Sequence, residues 1–187
     1  MQRARFFTLL RSAYALFDTV VAVSAPQADW IARQGLVGAG ALRVIPPVAD
    51  LSRFRALAAP QGRARVIGAI GRLHTQKGFD LLIEAFRDLP GQDIALHIHG
   101  TGLQEATLRA LAAGDSRIHF FGHGDAPDRI MQAVDIVAMP SRWEAFGLVV
   151  LEARAAPPGR VSKRPMDTLP LPVNRRATSP PPRDPAA

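Results

Sequence analysis

The segment VIGAIGRLHTQKGFDLLIEAFRDL, residues 66–89, decides the fold of this chain. Its first five residues, 66–70, are mostly β-branched and apolar, which is typical of a buried strand. Residues 71–78 begin and end with glycine and predict a loop. From residue 79 onward, apolar side chains recur at helical spacing, at Phe79, Leu82, Ile83, Phe86 and Leu89. The segment therefore predicts a strand, a loop and an amphipathic helix, in that order.

The same strand, loop and helix unit recurs three more times. Further strands are predicted at residues 94–98, 117–121 and 135–139, and each is followed by a helix, at 103–113, 126–134 and 147–156. Strands that alternate with helices predict a parallel, doubly wound α/β sheet. Ligands of such sheets bind outside the carboxyl ends of the strands, so the loops that follow strands are the place to seek functional residues.

The chain ahead of residue 50 predicts a smaller α/β arrangement. A helix over residues 3–17 would place its apolar residues on one face, at Phe6, Leu9, Leu10, Ala13, Leu16 and Phe17. A strand is predicted at 19–23, then a helix with Ser24 as N-cap that runs to about Gln34, where Gly35 supplies a left-handed stop. A second short strand at 42–45 precedes residues 50–64, whose mixture of Pro, Gly and Arg predicts a loop between two domains.

Composition narrows the class of protein. With 48% apolar residues, 187 residues can bury one good core or two small ones. The absence of cysteine excludes disulfides, thiolate metal sites and cysteine nucleophiles. Arg11 and Asp18 interrupt the N-terminal apolar region, so the sequence predicts neither a membrane span nor a signal peptide there.

The last 31 residues differ in composition from the rest of the chain. Residues 157–187 hold 9 of the 16 prolines, and most of the net charge of +7 is carried by their scattered Arg and Lys. Such a segment cannot bury a core and predicts a disordered tail. Because no nucleic-acid-binding motif accompanies the charge, we expect no nucleic-acid partner.

The loop at residues 71–78 has the composition of a diphosphate site. Arg72 and Lys77 place two cations on a glycine-bounded turn between a strand and a helix. Glycines allow the backbone to approach closely, the helix N-terminus favours an anion, and an Arg side chain can bind phosphate oxygens bidentately. An ordinary solvated turn is the alternative. A nicotinamide-binding domain is disfavoured because no strand is followed by a complete G-x-G-x-x-G.

The loop after the fourth predicted strand, Pro140 to Leu148, carries Glu144 and leads into a helix that bears Glu152. A glutamate in the loop and another on the helix can accept hydrogen bonds from separate hydroxyl groups of one extended ligand. Trp143 lies beside Glu144 and either stacks on a ligand or packs under the loop, the second being the ordinary role of a tryptophan.

Together these motifs resemble the C-terminal domain of retaining GT-B glycosyltransferases of family 4, also called glycosyl transferases group 1. The resemblance spans residues 66–156, and residues 18–54 are similar to the end of that family's N-terminal domain. Its most specific segments are Gly71-Arg-Leu-x-x-x-Lys-Gly-Phe-Asp80, Gly100-Thr-Gly102, Phe120-Phe-Gly122 and Pro140-Ser-x-x-Glu-Ala-Phe-Gly-Leu148 through Glu152.

The resemblance implies a domain organisation. Residues 1–54 would be a remnant of an N-terminal Rossmann-like domain and residues 55–64 a linker. Residues 65–156 would form an incomplete, doubly wound C-terminal domain that binds the donor, and 157–187 the tail. Pro47-Val48 stands where the family usually has Asn-Gly, and Pro157-Pro-Gly-Arg160 stands where a Gly-x-Pro turn and another strand are usual. We therefore expect a chain truncated at both ends, and a frame change is one hypothesis for the tail.

The resemblance also implies a reaction, transfer of a sugar from a nucleotide-sugar donor to a glycan or lipid-linked acceptor with retention. Arg72 and Lys77 would neutralise the donor diphosphate, Glu144 would hold the sugar hydroxyls, and these three are the expected catalytic residues. The backbone amides from Phe146 through Gly147 to Leu148 would face sugar or phosphate, and Glu152 would hold the ribose. Neither a metal nor another cofactor is expected.

Two further expectations concern activity and location. Independent turnover by a truncated chain is not expected, so the alternative function is nucleotide-sugar binding without catalysis, or an inactive truncated product. Nucleotide sugars are made in the cytoplasm, which implies a cytoplasmic location and leaves peripheral association with the inner membrane open, as in lipopolysaccharide synthesis.

Histidines near two strand ends offer a weaker alternative site. His97 and His99 share one face of a predicted strand, and His119 and His123 flank the end of the next. A zinc cluster is conceivable, but no cysteine or carboxylate set accompanies these histidines, and polar residues at strand ends commonly line a ligand cleft instead.

Overall fold

A computed structural model describes residues 2–38, 40–124 and 126–157, and of residues 2–4 it describes the backbone alone. Contacts divide the chain between Ala49 and Asp50 into two compact units. The sequence predicts the first domain to run to residue 54. The predicted tail lies outside the described residues from residue 158 onward.

The first unit is a small α/β arrangement. Its elements are α1 (Gln2–Tyr14), β1 (Val20–Ala22), α2 (Ala25–Arg33) and β2 (Leu42–Val44). The two strands pair in parallel, with Val20 opposite Leu42. The buried side chains between sheet and helices are Ala22, Ala28, Ile31 and Leu36.

The ends of α2 form as the sequence predicts. Ser24 is the N-cap, with extended backbone, and its Oγ accepts a hydrogen bond from the Gln27 amide at 3.4 Å. Pro26 occupies the first turn, where its missing amide proton costs nothing. Gly35 follows the helix at φ 60°, a left-handed conformation that suits glycine.

The predicted inward face of α1 is wrong in part. Phe7, Leu10 and Tyr14 pack on the core of the first unit, whereas Phe6 is 43% exposed and Leu9 69% exposed. Apolar residues occur in adjacent pairs along this helix, so spacing alone does not single out the packed face. The helix also ends at Tyr14, so the exposed residues at 16 and 17 do not continue either face.

The second unit is built around a four-stranded parallel sheet. Its strands are β3 (Val66–Ile70), β4 (Ala95–His99), β5 (Ile118–Gly122) and β6 (Ile136–Val137). Its helices are α3 (Ser52–Arg55), α4 (Phe79–Arg87), α5 (Glu105–Ala112), α6 (Pro127–Gln132) and α7 (Leu148–Ala155). The strand order is β5-β4-β3-β6. The strands β3, β4 and β5 are therefore added in one direction, and after β5 the chain returns to place β6 on the other side of β3. This α/β, doubly wound arrangement is the one that the sequence predicts.

Two cores hold this sheet. One packs α4 and α5 on the sheet, and its members Ile83, Phe86, Leu96 and Ile98 are fully buried or nearly so. The other cluster unites Phe54, Met131, Val134, Val137 and Ala153.

The prediction of a loop throughout residues 50–64 is corrected, because residues 52–55 form the short helix α3. Phe54, on this helix, is completely buried. Burial of one aromatic side chain is a tertiary contact that local composition does not reveal. It also explains why the boundary between the units precedes α3.

The strand β6 is shorter than predicted. Among the strands that the structure describes, it pairs with β3 alone, through Ile136 and Val137. Asp135, which immediately precedes it, accepts hydrogen bonds at 2.8 Å from the amides of Arg65 and Val66 through its carboxylate. The Asp135 amide also donates to the Val66 carbonyl at 2.9 Å, so side chain and backbone together hold the starts of the two strands.

Candidate functional site

The loops that follow β3 and β4 lie together at the carboxyl edge of the sheet. The Gly71 amide donates to the His99 carbonyl at 3.0 Å, and the Leu73 amide donates to the Thr101 carbonyl at 2.9 Å. A Cβ atom on Gly100 would lie 1.9 Å from the Gly71 carbonyl oxygen. Glycine at position 100 therefore lets the two backbones come into direct contact.

The loop after β6 docks onto the loop after β3. The Arg142 amide donates to the Gln76 carbonyl at 2.8 Å, and the Gln76 side-chain amide donates to the Trp143 carbonyl at 3.0 Å. At the end of the first loop, Gly78 adopts φ 65° and lies close to the Pro140 carbonyl. A Cβ atom on Gly78 would lie 2.2 Å from that carbonyl oxygen. The two loops in which the sequence predicts donor-binding residues thus form one surface.

Lys77 and Glu144 meet at this surface. The Lys77 Nζ atom lies 2.6 Å from Glu144 Oε1, and the two side chains are only 18% and 20% exposed. The Ser141 hydroxyl donates to the same carboxylate oxygen at 2.7 Å. Two residues predicted to bind different parts of a ligand are therefore paired with each other.

A second ion pair fastens the two loops. Arg142 donates to both carboxylate oxygens of Asp80, at 2.8 and 2.7 Å, and also to the Thr75 carbonyl at 2.8 Å. Hydrogen bonding from Arg142 lowers the pKa of Asp80, and the same bond raises the pKa of Arg142. A bidentate guanidinium–carboxylate pair fixes orientation as well as distance.

The helix α7 begins beside this surface with unused donors. Gly147 is its N-cap at φ 82° and offers no side-chain cap. Within the described residues, the backbone amides of Phe146, Gly147 and Leu148 donate no hydrogen bond. Free amides at a helix start favour an anion or a ligand hydroxyl oxygen.

The structure does not bring Arg72 or Glu152 into contact with the Lys77–Glu144 pair. Arg72 is exposed, and no hydrogen bond or ion pair within the described residues involves it. Burial raises the pKa of Glu152, while Arg53 lowers it and Asp128 raises it further. Glu152 therefore lies near the Arg53–Asp128 ion pair, whose atoms are 3.5 Å apart.

Sequence reasoning missed the residues that hold the surface together: Gln76, Asp80, Ser141 and Arg142. The opposite charges of Asp80 and Arg142 are visible in the sequence, but nothing in it shows that the two residues are neighbours. Of the two roles that the sequence allows for Trp143, stacking on a ligand or packing beneath its loop, the second is favoured, but the side chain is 44% exposed.

Three of these histidines, His97, His99 and His119, form an aromatic cluster with Phe121. The Phe121 ring stacks on the His99 ring with centroids 4.7 Å apart, and the ring centroids of His97 and His119 are 5.5 Å apart. Burial lowers the pKa of His97, and so does His119. Among the residues that the structure describes, no group of three or more His, Cys, Asp or Glu side chains is arranged to hold a metal ion.

The Asp80–Arg142 pair has a measurable consequence for stability. We expect Asp80→Asn to lower the free energy of unfolding by about 1 kcal/mol at pH 7, the part of a bidentate pair that survives solvent screening. Because the pKa of Asp80 is lowered on folding, this contribution is complete above the unfolded pKa and disappears as the pH falls through the folded pKa.

Urea denaturation at pH 7 and at pH 3 measures this difference. Glu105→Gln is the matched control, since Glu105 pairs with Arg109 on one exposed helix turn and should change the free energy by under about 0.5 kcal/mol. A difference for Asp80→Asn that is equally large at both pH values would contradict the assignment.

Proteins of known structure share this fold. Anabaena HepE, solved in complex with UDP and glucose, superposes with a TM-score of 0.68 over 80% of this chain and 46% of its own, at 24% identity. Staphylococcus aureus TarM superposes with a TM-score of 0.64 over 80% of this chain and 30% of its own, at 19% identity. The fold is that of the GT-B glycosyltransferases.

The family follows from the sequence comparison. The family described as glycosyl transferases group 1 matches residues 53–157, more than half of the chain. The chain therefore belongs to the glycosyl transferases group 1 family.

A curated relative gives the extent of the match. The D-inositol 3-phosphate glycosyltransferase of Corynebacterium jeikeium is 38% identical over 141 residues, which are 62% of this chain and 33% of the relative. The chain thus spans about a third of that relative's length. Of the helices in the described part of the chain, none is long and apolar enough to cross a membrane.

Proposed function

We propose that the loops at residues 71–78 and 140–148 bind a nucleotide-sugar donor for glycosyl transfer with retention, as in family 4. The observation that carries this proposal is the direct docking of the two loops, with Lys77 and Glu144 2.6 Å apart between them. A cation and a carboxylate side by side offer one partner for a diphosphate and one for sugar hydroxyls.

The proposed mechanism relies on fixed charge. When the glycosidic bond of the donor breaks, negative charge grows on the leaving diphosphate. Arg72, Lys77 and the free amides of residues 146–148 stabilise that charge more in the transition state than in the ground state. Glu144 holds the sugar, and Glu152 accepts hydrogen bonds from the ribose.

The related proteins suggest which donor to test first. HepE was solved with UDP and glucose, and TarM with UDP, so uridine nucleotides are the first choice. We further propose a glycan or lipid-linked acceptor and a cytoplasmic location, with peripheral association with the inner membrane. Nucleic acid is not among the proposed partners, and neither a metal nor another cofactor is required.

Donor binding without turnover is the second candidate. It is favoured by the position of the contacts between the two donor loops, since all of those described above lie on the second unit. The predicted catalytic residues Arg72, Lys77 and Glu144 are all assigned to the donor, and none of them is assigned to an acceptor.

Calorimetric titration of the full chain with UDP-glucose tests donor binding, and GDP-mannose serves as the comparison nucleotide sugar. We expect saturable binding of one of them, weakened about tenfold by Glu152→Ala, which removes a charge-assisted hydrogen bond to the ribose. Absence of binding by a folded wild-type chain would contradict the proposal. An assay for transfer of labelled glucose from UDP-glucose to a glycan acceptor distinguishes catalysis from binding alone.

A further inference from the structure

Lys77 and Glu144, the two groups proposed to bind the donor, are already paired with each other. The ammonium and carboxylate are in direct contact at 2.6 Å, and the two side chains are about four-fifths buried. Ser141 occupies a further lone pair of the same carboxylate oxygen. A diphosphate that binds the ammonium must therefore draw it at least partly away from Glu144.

The consequence differs between a nucleoside diphosphate and its sugar conjugate. When a nucleoside diphosphate takes Lys77, the Glu144 carboxylate loses its cation and stays poorly solvated without a partner, which is costly. When the ligand carries a sugar, hydroxyl groups can donate to the same carboxylate and replace the lost partner. The sugar thus offsets a cost that the bare diphosphate meets in full.

Neighbouring charges do not share this behaviour. Arg142 is held by both oxygens of Asp80 and by the Thr75 carbonyl. Arg72 has no acidic partner within the described residues. Of the three cations on the two loops, Lys77 is the one whose paired carboxylate, that of Glu144, is also proposed to bind the ligand.

We propose that Glu144 competes with the diphosphate for Lys77, and that the sugar of the donor relieves this competition. Glu144 is then a specificity-determining residue that favours the nucleotide sugar over the nucleoside diphosphate. Once the sugar has left, Glu144 recovers Lys77 and weakens the hold on the product. This inference rests on the proposed donor-binding function and adds a basis for product release.

The test is calorimetric titration of the full chain with UDP and, separately, with UDP-glucose. We expect Glu144→Ala to bind UDP about tenfold more tightly than wild type, which corresponds to about 1.4 kcal/mol. Its affinity for UDP-glucose should stay the same or fall, because the hydroxyl contacts are lost while Lys77 is released.

A second background separates competition for Lys77 from simple repulsion. Repulsion between Glu144 and phosphate would persist without Lys77, whereas competition requires it. In a Lys77→Ala chain, adding Glu144→Ala should therefore give no gain in UDP affinity. Glu105→Ala, which removes an equal charge from the exposed pair with Arg109, should leave both affinities unchanged.

The outcomes separate the two proposals. A tenfold gain for UDP that vanishes in the Lys77→Ala background supports the inference. Wild-type binding of UDP-glucose with no gain for UDP in Glu144→Ala, or with an equal gain in both backgrounds, overturns the inference and leaves the proposed function standing. No binding of either ligand by any folded variant overturns both.

Discussion

A Gly78→Ala chain is expected to lose about 3 kcal/mol of unfolding free energy and to bind no nucleotide sugar at measurable concentrations. Gly78 adopts φ 65°, and a Cβ there would lie 2.2 Å from the Pro140 carbonyl oxygen. The left-handed conformation costs a residue other than glycine about 1 kcal/mol. The overlap costs roughly 1–3 kcal/mol more, because the obstructing atom belongs to the backbone.

The loss of binding follows from the position of Gly78. It ends the 3₁₀ turn Thr75–Lys77 and begins α4. Relief of the overlap requires the loop after β6 to move away from the loop after β3, which separates Lys77 from Glu144. The stability effect and the binding effect therefore have one cause.

Gly114→Ala is the matched control. Gly114 has φ 86°, but a Cβ there would meet no atom within 4 Å. It therefore measures the cost of the left-handed conformation without an overlap. Guanidinium denaturation and calorimetric titration of both variants decide the matter, and a Gly78→Ala chain as stable and as active in binding as Gly114→Ala would contradict the docking of the loops.

Replacing Arg72 with alanine is expected to weaken the binding of UDP-glucose about 100-fold. Lys77 is paired with Glu144 and Arg142 with Asp80, so Arg72 is the cation of these loops without an acidic partner in the described part of the chain. Loss of a bidentate, charge-assisted contact to a diphosphate costs about 1.5–3 kcal/mol, and 2.7 kcal/mol is about 100-fold.

Stability provides the internal check on this variant. Because Arg72 is exposed and has no partner within the described residues, Arg72→Ala should change the free energy of unfolding by under about 0.5 kcal/mol. Arg129→Ala removes an equal charge from an exposed position on α6 and should leave the affinity unchanged. Equal weakening by both variants would show that net charge, and not Arg72, is responsible.

Local patterns in the sequence predict much of the fold. The strand at residues 66–70 forms with the bounds expected for it, because an apolar β-branched run between polar segments has few other ways to be buried. The α2 caps form as expected because Ser24 and Gly35 act on adjacent backbone. The prediction of the packed face of α1 is wrong in part, because adjacent apolar pairs fit more than one helical face.

The site could be predicted only as separate loops. Lys77 and Glu144 were assigned to a diphosphate and to a sugar, but their direct contact joins residues 67 positions apart. It depends on β6 lying beside β3 in the sheet, which neither helical nor strand periodicity specifies. The Asp80–Arg142 pair escaped prediction for the same reason.

The central claim is that the loops at 71–78 and 140–148 form one donor-binding surface. The most direct measurement is a titration of ¹⁵N-labelled full chain with UDP-glucose, followed through its backbone amide chemical shifts. The account predicts saturable shifts that cluster in both loops and include the amides of residues 146–148. Shifts confined to one loop, shifts elsewhere in the chain, or none at a saturating donor concentration would contradict it.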